Sequence, residues 1–108
     1  MAVRQKYTNT YAPEVFDHIA AIERKYHRLI ERTIDEQLSH APDRQTRNRK
    51  PLEELPGPSG ATWELRFGPA NRFRVFYEIA KVKEAVSILA IGAKEGNRLL
   101  VGGKEIKT

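Results

Sequence analysis

Two stretches of this 108-residue chain alternate between core-like and outward side chains, and they share a short turn. In Trp63-Glu64-Leu65-Arg66-Phe67 the apolar parity is Trp63, Leu65 and Phe67. In Arg72-Phe73-Arg74-Val75-Phe76-Tyr77-Glu78-Ile79 it is Phe73, Val75, Tyr77 and Ile79. Side chains alternate faces along a strand, so each stretch reads as a strand with one face on a core. Gly68-Pro69-Ala70-Asn71 between them has turn composition. Slipping the pairing by one residue would bury charge, so the register must match core with core. Phe67 then faces Phe73, Leu65 faces Val75 and Trp63 faces Tyr77. Arg66 falls opposite Arg74, and Glu64 opposite Phe76.

Like charges directly across a strand pair are destabilising. Two arginines held side by side on a rigid sheet also form a phosphate clamp, because guanidinium forks bind oxyanions bidentately. Arg72 shares their outward parity. Phe76 is expected to be exposed there, with a ring on which a base can stack. A plain solvated face, with Glu64 and Glu78 partly neutralising the arginines, is the alternative. The run Arg47-Asn48-Arg49-Lys50 leads into the same hairpin and adds three cations. Charge runs are usually just solvated, but this one extends a surface that is already basic.

A third strand is expected over Val86–Gly92, leading into Ala93-Lys94-Glu95-Gly96-Asn97-Arg98. Antiparallel pairing returns its end towards Phe73 and Arg74. Lys94 then lies at the rim of the basic face, with Glu95 beside it. A cation there can stabilise transition-state charge, and a carboxylate can accept a proton. A surface turn without chemistry has the same spacing.

Upstream, Val3, Tyr7 and Tyr11 share one parity and suggest a short edge strand over residues 3–11. From Pro13 to His40 there is no glycine and no further proline, and apolar residues recur with a helical period. One unbroken helix of that length would span about 40 Å at 1.5 Å per residue. A domain this size has a radius of gyration of roughly 13 Å. A break near Glu23–Lys25 and a helical hairpin are therefore expected. Residues 41–61, rich in proline and glycine, exclude a regular element of any length and read as a loop that is functional or mobile. The tail from Gly96 carries Leu99, Leu100 and Val101 but permits no assignment. Helices followed by a meander of strands give an α+β fold in one domain, residues 1–108.

The chain has no cysteine, which excludes disulfides, thiolate metal sites and a cysteine nucleophile. Its formal net charge of +5 favours polyanions. His18, His27 and His40 lack the spacing of metal ligands on one helix face. There is no P-loop, dinucleotide fingerprint or nucleophile elbow. No metal or cofactor is expected. No apolar run approaches membrane-spanning length, so a soluble cytoplasmic protein without a membrane partner is expected.

The runs Trp63-Glu-Leu-Arg-Phe-Gly, Asn71-Arg-Phe-Arg-Val-Phe-Tyr77 and Ile88-Leu-Ala-Ile-Gly-Ala-Lys94-Glu95, with Asn48-Arg-Lys-Pro-Leu52 before them, resemble the RelE/ParE toxin superfamily. The resemblance covers nearly the whole chain. It implies an N-terminal strand and helical hairpin packed on an antiparallel sheet, in the order β-α-α-β-β-β. It also implies the toxin of a type II toxin–antitoxin module, with a cognate antitoxin as partner. RelE-like members cut mRNA in the ribosomal A site, where a ribose 2′-hydroxyl attacks the adjacent phosphate. By position, Arg74 matches the family's second-strand arginine that contacts the scissile phosphate. Arg66 matches a basic position of the preceding strand, and Lys94 lies near the basic residue after the last strand.

On this basis Arg66, Arg74, Lys94 and Glu95 are expected to be catalytic. Arg47, Arg49, Lys50, Arg72, Phe76 and Arg98 are expected to bind RNA. One departure is plain: Arg98-Leu99-Leu100-Val101 lacks the C-terminal tyrosine frequent in RelE-like nucleases. Either Glu95 or Glu64 then substitutes, or the chain is a weaker nuclease, or the target differs. The ParE branch shares the fold and poisons DNA gyrase. A plain RNA-binding module is a third reading.

Overall fold

A computed structural model describes residues 6–54 and 56–106. Val3 and the start of the expected first strand, residues 3–5, fall outside the described residues. The strand that is present, β1, covers Thr8–Tyr11. It is followed by α1 (Glu14–Ala20) and α2 (His27–Leu38). The helical period does break where compactness requires it. Glu23 turns to an extended backbone, with ψ 134°, and a single 3-10 turn over Arg24–Tyr26 starts the second helix. His27 Nε2 lies 2.7 Å from the Ile22 carbonyl oxygen that the break leaves without a helical partner.

The remaining strands are β2 (Arg49–Pro51), β3 (Trp63–Phe67), β4 (Phe73–Ala80), β5 (Ala85–Glu95), β6 (Arg98–Val101) and β7 (Lys104–Ile106). Their order in the sheet is β2-β3-β4-β5-β6-β7, all antiparallel. β1 joins the same sheet parallel to β5. The sequence leaves the pairing of this strand open, and the long connection through both helices lets β1 run alongside β5 in the same direction. β2 corrects the expectation that prolines exclude any regular element from residues 41–61. It is three residues long, at an edge, and ends on Pro51, where a missing N–H costs no ladder bond.

The β3–β4 register is the one that the alternation requires, with Arg66 opposite Arg74 and Glu64 opposite Phe76. The β4–β5 register shifts once. Phe76 pairs Ala90 but Tyr77 pairs Ile88, which leaves Leu89 as an inserted residue. The bulge reverses the parity of β5. Val86 and Ile88 before it, and Ile91 and Ala93 after it, all reach the core under the helices. Lys94 is thereby turned to the opposite face.

The main core joins Val15, Ile22, Ile30, Ile34 and Leu38 of the helical layer to Leu65, Phe73, Val75 and Tyr77 of the sheet. A second, smaller cluster lies on the other face of the sheet. Ala61, Phe76, Ala90 and Val101 are buried there, with Leu52, Leu89, Leu99 and Ile106 packed around them. The outer face is thus partly covered by the loop after β2 and by the β6–β7 hairpin. Among the described residues no helix is long and apolar enough to cross a membrane.

Candidate nucleic-acid interface

The outer face carries an open groove of about 720 Å³. Its floor holds Glu64 and Arg66 from β3 and Arg74 and Phe76 from β4. One wall is the loop through Leu52, Glu54 and Pro58, and the other carries Lys94, Asn97 and Leu99. Lys50 pairs with Glu64 across β2–β3, so it shares this face and is exposed.

Arg66 and Arg74 do not simply repel each other. Glu64 lies between them, only 5% exposed. Arg66 Nε donates to Glu64 Oε1, and Arg74 Nη1 lies 3.8 Å from Glu64 Oε2. Glu64 reaches this position because it precedes Arg66 by two residues and therefore shares its face. Arg74 is the more fixed of the two arginines. It is 9% exposed, and its Nε donates to the Asn71 carbonyl at 3.2 Å. Burial, then the facing Arg66, lowers the pKa of Arg74, while Glu64 opposes that shift. Arginine has margin enough to stay cationic at neutral pH under such pressure. The arrangement is one anchored guanidinium, one half-exposed guanidinium and a buried carboxylate between them. It can grip an oxyanion and offer a proton acceptor at the same place.

The sequence expectations divide sharply here. Arg66, Arg74, Lys94 and Lys50 come together on one face, as expected. Glu95 does not. The bulge that turns Lys94 into the groove turns Glu95 the other way, where its Oε1 lies 3.6 Å from Arg72. Arg72 leaves the groove as well, correcting its expected parity with Arg74. It adopts helical dihedrals (φ −63°, ψ −38°) at the end of the Pro69–Asn71 turn, before the strand begins. Its guanidinium makes two 2.9 Å bonds to Glu23, and it stacks over Tyr26 and Phe73. Arg98 pairs with Glu95 across β5–β6 and so lies on that side too.

Arg49 is a further correction. It shares the parity of Leu65 and is buried. Its Nη1 donates to the carbonyls of Gln37 and Ala41, closing the C-terminal end of α2. A cation at a helix C-terminus satisfies carbonyls that lack partners and suits the helix dipole. Phe76 is 2% exposed and belongs to the smaller core, so it offers no ring face for stacking. The expectation failed because alternation assigns a face but cannot show that a distant loop covers it. Arg47 is exposed on its loop and does not line the groove. The groove residues that went unrecognised, Glu54 and Asn97, lie in loops. For Glu54 the only signal was the apolar residues Leu52, Pro56 and Pro58 in an otherwise polar loop, and Asn97, in the turn between β5 and β6, had none.

The fold has a known counterpart. One chain of the RelBE2 toxin–antitoxin complex of Mycobacterium tuberculosis superposes with a TM-score of 0.67 at 20% identity, covering 82% of this chain and 92% of the other. The fold is RelE-like. No family model matches the sequence, and no curated protein matches it. The RelE-like frame accounts for the α+β order and for two helices packed on one face of an antiparallel sheet. The face opposite the helices is the one that carries the groove.

Proposed function

We propose that this chain is the toxin of a type II toxin–antitoxin module and that it cuts mRNA on the ribosome. The observation that carries the proposal is the pairing of Arg66 with Arg74 over a buried Glu64, facing Lys94 across an open groove. The RelE-like fold supports the toxin class, since the similar solved chain comes from a toxin–antitoxin complex. An antitoxin is therefore the expected protein partner.

The chemistry needs no metal. A ribose 2′-oxygen gives its proton to a base and attacks the adjacent phosphorus. The bond from phosphorus to the 5′-oxygen breaks, and that oxygen takes up a proton. The products are a 2′,3′-cyclic phosphate and a 5′-hydroxyl. In this reading Arg74 and Arg66 hold the non-bridging oxygens and balance charge as it builds, which is where fixed cations help most. Glu64 accepts the proton, because Glu95 lies on the wrong face. Lys94 donates to the leaving oxygen.

Induced expression in bacteria should arrest growth and truncate transcripts within codons. Arg74→Ala should restore both growth and intact message. Intact mRNA during arrest would sink the proposal. The second reading, a gyrase inhibitor, draws on Arg98–Val101, which has neither tyrosine nor histidine and forms the apolar strand β6. That reading requires blocked supercoiling by the purified protein, and fails if supercoiling is untouched at saturation.

A further inference from the structure

One group in the groove has no part in gripping phosphate. Glu54 is exposed on the loop wall, across from Asn97. Among the described residues it makes no ion pair, although Arg66, Arg74 and Lys94 line the same groove. A carboxylate facing phosphates only weakens binding. Its neighbours on the wall, Pro56 and Pro58, are apolar, as are Leu99 and Ile106 on the far side. The part of an RNA strand with apolar faces and hydrogen-bonding edges is the base.

We propose that the groove contains a nucleobase subsite in which Glu54 accepts a hydrogen bond from an exocyclic amino group, admitting cytosine, adenine and guanine and rejecting uracil. This rests on reading the groove as an RNA site. Cytosine presents an amino donor where uracil presents a carbonyl acceptor. Uracil offers the Glu54 carboxylate only its ring N3–H, flanked by two carbonyl oxygens whose lone pairs repel it, and so would bind there more weakly. A site that accepts a hydrogen bond discriminates against ligands with a poorer donor, modestly where, as at Glu54, the acceptor is exposed and water can replace the ligand. Asn97 carries both a donor and acceptors at the opposite rim, so it tolerates any base. Selection therefore falls to Glu54.

Fluorescence anisotropy with labelled hexacytidylate and hexauridylate, at one fixed low salt concentration and without ribosomes, tests the subsite. The two ligands share ring size and backbone, so phosphate contacts are matched, and any difference in stacking persists in Glu54→Gln. The wild-type chain should bind the cytidylate about tenfold more tightly. Glu54→Gln should bring the ratio close to one. Glu53→Gln removes the same charge from the neighbouring exposed residue, which does not line the groove, and should leave the ratio unchanged. Equal wild-type affinities would overturn the proposal, and so would a ratio that survives Glu54→Gln. Failure to bind either ligand would overturn the RNA reading of the groove together with the subsite. Base discrimination lost alone would overturn the subsite only. The wild-type ratio needs no variant, so a misfolded substitution cannot shield the proposal.

Discussion

Glu64 occupies the position where two arginines would otherwise face each other across a strand pair. Its carboxylate makes that pair tolerable in the resting protein and, in the proposed reaction, takes the 2′-hydroxyl proton. The two roles separate by substitution. Glu64→Gln keeps an acceptor for Arg66 but loses the charge, so it should cost on the order of 1–2 kcal/mol of stability. Cleavage should fall by about a hundredfold or more, as expected for loss of a general base. RNA affinity should hold or rise, because a negative charge leaves the groove. Chemical denaturation, transcript cleavage and RNA titration of the one variant read all three. Arg49 is the converse case. Arg49→Ala should destabilise by about 2 kcal/mol through the freed carbonyls at the end of α2. RNA affinity of the folded fraction should not change, although sequence reasoning placed Arg49 on the RNA. Periodicity exposed the Arg66–Arg74 pair because both strands alternate around it. It could not separate Arg49 from Lys50, since the parity of β2 appears only once its pairing with β3 is known.

The elements that set the site are the β5 bulge and the turn before β4. Each moves one charged residue across the sheet. If Leu89 took a regular ladder position instead of bulging out, Val86 and Ile88 could not share the core with Ile91 and Ala93. Deleting Leu89 should remove the bulge yet keep Val86, Ile88, Ile91 and Ala93 on one face, so unfolding followed by circular dichroism should stay cooperative, and a deletion protein that does not fold would refute the role given to the bulge. Nothing in Ala85–Glu95 marks the bulge in the sequence, because both parities there are apolar or small. Sequence reasoning thus placed Lys94 on the face where it lies and Glu95 beside it on the wrong one. The turn before β4 sends Arg72 to Glu23, tying β4 to the break between the helices. Arg72 holds the Glu23 carboxyl down to about 2 through their side-chain hydrogen bonds, against an ordinary value of 4.5. A depressed acid contributes stability above its ordinary value, and the contribution is lost as pH falls from there through the depressed one. Glu23 is exposed, so the effect is small. Denaturation midpoints of the wild type and Glu23→Gln should differ at pH 6 and converge as pH falls below about 4 towards 2. A constant difference over that range would remove the ion pair from the account.

At the scale of the whole molecule, the sheet has two faces with different tasks. Helices cover one and form the main core. The other keeps a small apolar cluster of its own, around which loop and hairpin raise the walls of a groove. The α+β class, the helical break and the β3–β4 register were legible because each follows from local period or from compactness. The walls were not, since they depend on residues 52–54, 56–61 and 98–106 folding back over Phe76, a long-range contact that no local pattern reports. Net positive charge suggested a polyanion, but only the fold shows which cations share a face. The central claim is that this groove cuts mRNA during translation. A reconstituted translation system, with ribosomes stalled on a message of defined A-site codon, tests it directly. The account predicts a break within that codon and a downstream fragment with a 5′-hydroxyl, labelled by polynucleotide kinase without prior phosphatase. Arg74→Ala should leave the message whole. An intact message with the wild-type chain bound to the ribosome would contradict the claim.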